Sequence, residues 1–394
     1  MLPLALSSYT TDWLNLLARW LHVIAVIAWI GSSFYFIALD LHLRPPANEG
    51  DAERGIAGEA WEIHGGGFYR VEKFRVAPPA LPQPLYWFKW EAYTTWLSGF
   101  ALMIILYYAH AHAYLIDESV ADLSTWEAVV VSVGILAGSW LVYDGLCRLL
   151  RTEAALAILL LAFTTGLAYA CGRLFSARAA WIEVGAALGT MMAANVFFVI
   201  IPAHKELVRA KEAGREPDPE WNRRGKQRSV HNNYLTLPVL LTMLSNHFPS
   251  IYGHSHAWLV LVGLMVIGAG IRHFFNLHHQ GRDVWPILAA AAAGIALIAV
   301  LIRPSSGPSA PVTPTAVANG MRLFLSSGRA SCHTLANAGA KGKVGPNLDG
   351  AKPSRALVVD RVTNGQGVMP PFKDRLSKAQ IEAVADYVAS VAGH

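Results

Sequence analysis

Cysteine is scarce in this chain: three in 394 residues, at Cys147, Cys171 and Cys332. Three cannot build a disulfide framework, and none of them shares a C-x-x-C with another, so a cysteine-based zinc site is excluded. Charge is scarce too, at 15% of residues against about 25% in ordinary soluble domains. No H-E-x-x-H, no G-x-x-x-x-G-K-[ST] and no G-x-S-x-G occurs. Zinc proteolysis, phosphoryl transfer and serine hydrolysis are therefore without support. The net charge of +5 is not arranged as a basic stripe with stacking aromatics, so no nucleic-acid partner is expected.

What the chain has is long apolar runs. It is 54% hydrophobic with 13 tryptophans, and about 20 consecutive apolar residues span a bilayer as a helix. Eight predicted spans can be marked: 13–39, 86–109, 126–146, 154–171, 181–203, 230–247, 257–271 and 285–302. Trp13, Trp126, Trp181 and Trp285 stand at span starts, as an interfacial aromatic belt requires. The first span follows no basic n-region and reads as a retained helix. Cys147 and Cys171 lie in or beside these runs and read as packing residues. The expected architecture is all-α: a polytopic membrane helix bundle over residues 1–302, a Pro/Ser-rich linker over 303–315, and a small helical domain over 316–394.

Orientation follows from lysine and arginine. The connection after span five carries Lys205, Arg209, Lys211, Arg215, Arg223, Arg224, Lys226 and Arg228, and the loop after span one is also basic. The loops after spans two and six contain neither residue type, whereas the loop after span four, with Arg173 and Arg178, dissents mildly. The positive-inside rule puts the odd-numbered loops in the cytoplasm and both termini outside. For a bacterial inner membrane, the small domain then lies on the periplasmic side.

That domain carries Gly320-Met321-Arg322, then Cys332-His333, then Gly345-Pro346-Asn347-Leu348 and Met369-Pro370-Pro371. This order resembles a small class I cytochrome c. The resemblance implies haem c, attached through Cys332, with His333 and Met369 as axial ligands of the iron. His/Met ligation raises the reduction potential and suits an electron acceptor. Arg329 stands where the first cysteine of C-x-x-C-H would be, so at most one thioether can form.

The loop after span one, about 45 residues long, holds Glu62-Ile63-His64-Gly65-Gly66-Gly67-Phe68-Tyr69-Arg70 and a later proline cluster. Loops of such length are usually functional or disordered, and its aromatics argue against disorder. The three glycines would let backbone N–H groups approach a ligand. At the end of span seven, Arg272, Asn276 and His279 fall at i, i+4 and i+7, on one helical face. His231-Asn232-Asn233-Tyr234 opens span six at the same depth. His64, Arg272, Asn276 and His279 are the candidate catalytic residues, with Gln280 a further amide: imidazole as base, guanidinium and amides as orienting donors. For each histidine alone, helix capping or headgroup contact is the plainer reading. His22 with His247 would be the pair for an additional intramembrane haem or metal, which no spacing demands.

With these pieces in hand, the chain resembles the membrane-bound bacterial urate hydroxylase (urate oxidase) family with a C-terminal cytochrome c domain. The resemblance rests on His64-Gly65-Gly66-Gly67-Phe68-Tyr69, on Trp87-Phe88-Lys89-Trp90-Glu91-Ala92-Tyr93, on the eight-span layout and on the appended domain. It implies oxidation of urate to 5-hydroxyisourate in purine catabolism, with electrons leaving through cytochrome c to a soluble or membrane-bound respiratory acceptor. It assigns no catalytic residues. The competing reading is a membrane-anchored cytochrome c electron carrier for a respiratory complex, with the bundle as anchor; a transporter fused to a cytochrome is a third. One tension is built in. The candidate site lies at the cytoplasmic side and the cytochrome outside, across a hydrocarbon core roughly 30 Å thick.

Overall fold

The computed structural model describes residues 8–118, 120–303, 314–326, 332–342, 345–365, 369–373 and 375–393. Arg329 and most of the 303–315 linker lie outside these described residues. The chain opens with α1 (Ser8–His42), followed by the short α2 (Glu49–Glu53) and the antiparallel hairpin β1 (Ile56–His64) and β2 (Gly67–Phe74). Next come α3 (Trp90–Leu102), which runs into a π-helical segment Met103–Tyr108, and the short α4 (Ala111–Tyr114). Then follow α5 (Thr125–Leu149), α6 (Glu153–Leu174) and α7 (Ala177–Asn195), the last continuing through π-helical Val196–Ile200 into α8 (Ile201–Glu212). The bundle closes with α9 (Pro219–Ser245), α10 (Pro249–Tyr252), α11 (Ala257–His279) and α12 (Pro286–Leu301).

The helix starts are written locally. Ser124 caps α5 in a capping box with Glu127, and Asp218 accepts from Glu220 N–H just before Pro219 opens α9. Each of the eight predicted spans contains a helix, although in 86–109 the helix begins only at Trp90. Among the described residues, five helices are long and apolar enough to cross a membrane: α1, α5, α6, the continuous α7–α8 run, and α11. The other three fall short for visible reasons. α3 with its π-helical continuation opens on the polar stretch Trp90-Glu91-Ala92-Tyr93-Thr94-Thr95, α12 is 16 residues, and α9 is dominated in its first half by charged and amide side chains. The bundle therefore buries its core on α5, α6, α7, α9 and α11, with Tyr143, Leu188, Met191 and Leu261 essentially inaccessible. Apolar residues such as Leu141, Ile158 and Val300 point outward, as lipid-facing positions do.

The loop after span one departs from the sequence expectation. It is a β-hairpin, with His64 opposite Gly67 and a tight turn in which Gly65 (φ 57°) and Gly66 (φ 83°) take left-handed backbone. Glycine tolerates that conformation at no steric cost. The glycines serve the turn. The hairpin is tied down by Arg70, which reaches Asp51 and Glu59 at 2.6 Å and Glu72 at 3.2 Å. Lys73 on β2 pairs with Asp40 of α1, and Lys226 of α9 reaches the same carboxylate at 2.8 Å.

The C-terminal domain has its own core: α13 (Pro314–Ser326), β3 (Thr334–Leu335), β4 (Ala340–Lys341), α14 (Leu348–Ala351), α15 (Arg355–Asn364) and α16 (Lys378–Val391). Phe324, Leu335, Val384, Ala385 and Tyr387 are fully buried within it. Gly320 lets α13 lie directly on α16, since a Cβ there would sit 2.1 Å from the Ala383 carbonyl oxygen.

Candidate functional site

Charged and amide side chains inside an apolar bundle are costly and face partners or cavities. Two groups of them meet on one turn of α9. On one side, Arg272 Nε and Asn276 Nδ2 of α11 both donate to Asn233 Oδ1, each at 3.0 Å. The Arg272 guanidinium also lies 3.9 Å from the centroid of the Phe34 ring, a distance at which the cation and the ring face attract. All three polar residues are buried, and each has one atom left over. Arg272 Nη2, Asn233 Nδ2 and Asn276 Oδ1 have no hydrogen-bond partner among the described residues. Two donors and one acceptor are thus held ready for a further polar group, since a buried unmet polar atom costs about 1–3 kcal/mol.

On the other side of the same turn, Asn195 Nδ2 donates to the Tyr143 hydroxyl and to Asn232 Oδ1, both at 3.0 Å. The Tyr143 hydroxyl meets His231 Nδ1 at 2.8 Å, and His231 Nε2 lies 3.0 Å from Glu153. Arg228 pairs with Asp144 at 2.7 Å and lies 4.8 Å from the Tyr143 ring centroid.

A cavity of about 450 Å³ lies toward the hairpin, and the residues of the first group are not among its walls. Among its walls are Ile37 and Asp40 of α1, Lys73 of β2, His204 of α8, and Asn222, Lys226 and Ser229 of α9. Asn222, Lys226, Ser229 and Asn233 fall at i, i+4, i+7 and i+11, so the cavity stripe of α9 continues to Asn233 one turn on. Phe34 is likewise one turn along α1 from Ile37. Outside the spans, burial and the neighbouring Lys226 ammonium push the Lys73 amine down to about 8, although Asp40 is in contact with it. One carboxylate shared between two ammonium groups offsets only part of that cost.

The other candidates fall elsewhere. His64 is exposed at the hairpin tip, and no hydrogen bond among the described residues links it to Arg272 or Asn276. His279 is half-buried at the end of α11, its ring beside His278, and Gln280 is exposed. His22 uses Nδ1 on Ser98 Oγ (3.0 Å) and the Thr95 carbonyl (3.1 Å), wedged against Gly99 of α3.

In the C-terminal domain, His333 is buried and its Nδ1 lies 3.0 Å from the Pro346 carbonyl oxygen. That bond places the proton on Nδ1 and leaves Nε2 as a lone-pair ligand, the arrangement second-shell carbonyls impose on metal-binding histidine. Gly345 forms the wall against the ring, where a Cβ would approach Cε1 to 2.3 Å. Met369 packs at the edge of the domain core, and Cys332 is half-buried with no disulfide. The setting of His333 fits haem c, whose iron His333 and Met369 would hold and whose ring Cys332 would attach.

Residues 8–303 match the family described as urate oxidase N-terminal. The chain belongs to this family. Residues 316–388 match cytochrome C oxidase, cbb3-type, subunit III. The chain is similar to cytochrome c6 of Microcystis aeruginosa, 40% identical over 19% of this chain and 95% of that protein. It is also similar to chloroplastic cytochrome c6 of Chlamydomonas reinhardtii, 32% identical over 28% of this chain and 73% of that protein. Among solved structures, the c-type cytochrome SorU from Sinorhizobium meliloti is 48% identical over 21% of this chain and 95% of its own, with a TM-score of 0.20. This member of the urate oxidase N-terminal family is thus a urate-related, membrane-inserted oxidoreductase carrying a cytochrome c domain.

Reading the sequence placed Arg272, Asn276 and Asn233 at one depth but missed their convergence on a single oxygen. Phe34 was invisible, because an aromatic in an apolar helix carries no signal of its own. Tyr143, Asp144, Asn195 and Glu183 were also passed over. Each is a buried polar residue inside a run otherwise apolar, and that isolation was the available clue.

Proposed function

We propose that the chain is a membrane-bound urate hydroxylase that converts urate to 5-hydroxyisourate and passes the electrons to its own cytochrome c domain. Urate with water yields the 5-hydroxy product, two electrons and two protons, so no oxygen atom from O₂ is required. The observation that carries the reading is the buried triad of unmet atoms, Arg272 Nη2, Asn233 Nδ2 and Asn276 Oδ1. A purine anion with alternating carbonyl oxygens and ring N–H groups answers two donors and one acceptor. The cavity supplies a route of adequate volume from the hairpin end of the bundle.

In this reading Arg272 and Asn233 hold urate carbonyls, and Asn276 accepts from a ring N–H. His279, two turns from Arg272 on the same helical face, is the base for the attacking water, since imidazole exchanges protons near neutral pH. His64, exposed at the hairpin tip, has no such access and is given no catalytic role here. Haem c, when bound, supplies a one-electron acceptor, and the external acceptor is a respiratory cytochrome. The hairpin end faces the cytoplasm and the cytochrome domain the periplasm of a bacterial inner membrane, as the loop charges direct.

The test is an anaerobic absorbance spectrum of the detergent-solubilised protein before and after urate. Reduced c-type bands on urate addition are expected. Bands that respond to dithionite but not to urate would favour the anchored electron carrier instead. A protein without haem bands would sink the internal electron route.

A further inference from the structure

At the end of the bundle opposite the hairpin, the C-terminal domain rests on the helices. Asp117, in the loop after α4, is almost fully buried and forms an ion pair with Lys373. Lys373 lies four residues beyond Met369. The short α10 packs on α15, and its terminal Tyr252 is buried, which raises its hydroxyl pKa, with Asp360 and Arg361 close by. Pro371, Asn364 and Lys373 from the cytochrome side share a narrow cleft with Tyr114, Arg178 and Tyr252 from the bundle. Behind this surface the Arg178 guanidinium lies 5.3 Å from the Tyr114 ring centroid and donates to Asn246 Oδ1 at 3.0 Å. The same oxygen accepts from the Tyr107 hydroxyl at 3.2 Å.

We propose that this contact is the electron-transfer dock of the molecule. The Asp117–Lys373 pair and the α10–α15 contact press the Met369–Lys373 loop against the Tyr114–Arg178–Tyr252 surface, and electrons leave the membrane domain there. Each transfer moves one electron, so every urate oxidised requires two transfers, with an external one-electron acceptor reoxidising the domain between them. The electron path rests on the urate reading; the dock itself does not. A tether as short as the 304–313 segment holds the domain at roughly millimolar effective concentration, so a partly buried ion pair and a small contact suffice. The pair is asymmetric. Removing Lys373 takes a cation away from a buried carboxylate, whereas neutralising Asp117 leaves a partly exposed ammonium that water can solvate.

The first test is zero-length carbodiimide cross-linking of the whole protein, read by peptide mass spectrometry. An amide between Asp117 and Lys373, absent from Asp117→Asn and from Lys373→Gln, is expected; its absence from the wild type overturns the dock whatever the substrate is. The second test is stopped-flow reduction by urate. Lys373→Glu should slow reduction roughly tenfold or more, with reduction by dithionite unchanged, and Asp117→Lys added to Lys373→Glu should recover most of the rate. An unchanged rate in Lys373→Glu, or a doubly reversed protein that is folded and haem-loaded but still slow, overturns the electron path. A cross-link found in a wild type that urate does not reduce supports the dock and sinks the urate reading.

Discussion

At the residue scale, three buried side chains around Asn233 each keep one polar atom without a partner among the described residues. Asn233 Oδ1 is the point on which two donors converge, so Asn233→Ala orphans both and should lower stability by about 1–3 kcal/mol while raising the KM for urate. Arg272→Ala removes a donor and its stacking on Phe34, and a sharp rise in KM is expected; unchanged kinetics would take it out of the site. Arg272→Lys keeps the charge but loses the planar fork, so it should rescue only part of the loss. Lys73 gives a pH signature of its own. Its amine sits at about 8 because of burial and Lys226. A lysine with a folded value below its unfolded one binds fewer protons when folded, so its penalty on stability is present below about 8 and is lifted as pH rises toward 10.5. The acylation rate of Lys73 against pH should show a midpoint near 8, and Lys226→Gln should move it upward; an unmoved midpoint would refute the coupling.

At the element scale, the helices were legible and the hairpin was not. Apolar runs located the long helices, five of which are long and apolar enough among the described residues to cross a membrane, because lipid demands a helix wherever the backbone crosses it. The hairpin was hidden because its strands break the alternation a half-buried sheet normally shows. Glu59 is buried through its pairing with Arg70, while Trp61, Ile63 and Phe68 are exposed. A polar residue on the inside and apolar ones on the outside invert the usual pattern. In the C-terminal domain the amphipathic spacing of α16 was readable, and Ile381, Val384, Ala385 and Val388 are all buried. The crossing it makes with α13 depends on Gly320, which local sequence does not reveal. Gly320→Ala would drive a methyl into the Ala383 carbonyl, and overpacking of this kind costs about 1–3 kcal/mol. A lower thermal midpoint of the haem absorbance is the expected result, and an unchanged one would mean that α13 can shift away freely.

At the scale of the whole molecule, the arrangement separates two tasks along the bundle axis. The cavity and the Arg272 cluster lie toward the hairpin end, and the Asp117–Lys373 contact lies at the other. Between them the rings of Trp96, Phe100 and Tyr108 succeed one another at centroid distances of 5.3 and 6.2 Å along α3 and the π-helical segment, which fills that stretch with polarisable side chains. The sequence argued for this polarity through charge alone, since lysine and arginine crowd the loops at the hairpin end and are missing from the segment that holds Asp117. The placement of the Arg272 cluster relative to the cytochrome contact had to come from tertiary packing, because residues 34, 233 and 272 are distant in the chain. The orientation has a direct check that does not depend on catalysis. His64→Cys at the hairpin tip should react with a membrane-impermeant maleimide only in inverted vesicles, whereas Asp122→Cys, in the loop after α4, should react in intact spheroplasts. Cys171 is buried and should stay silent in both preparations, while the response of Cys332 must be subtracted using the parent protein. Labelling of His64→Cys from outside would reverse the molecule in the membrane and put the cavity on the same side as the periplasmic electron acceptors.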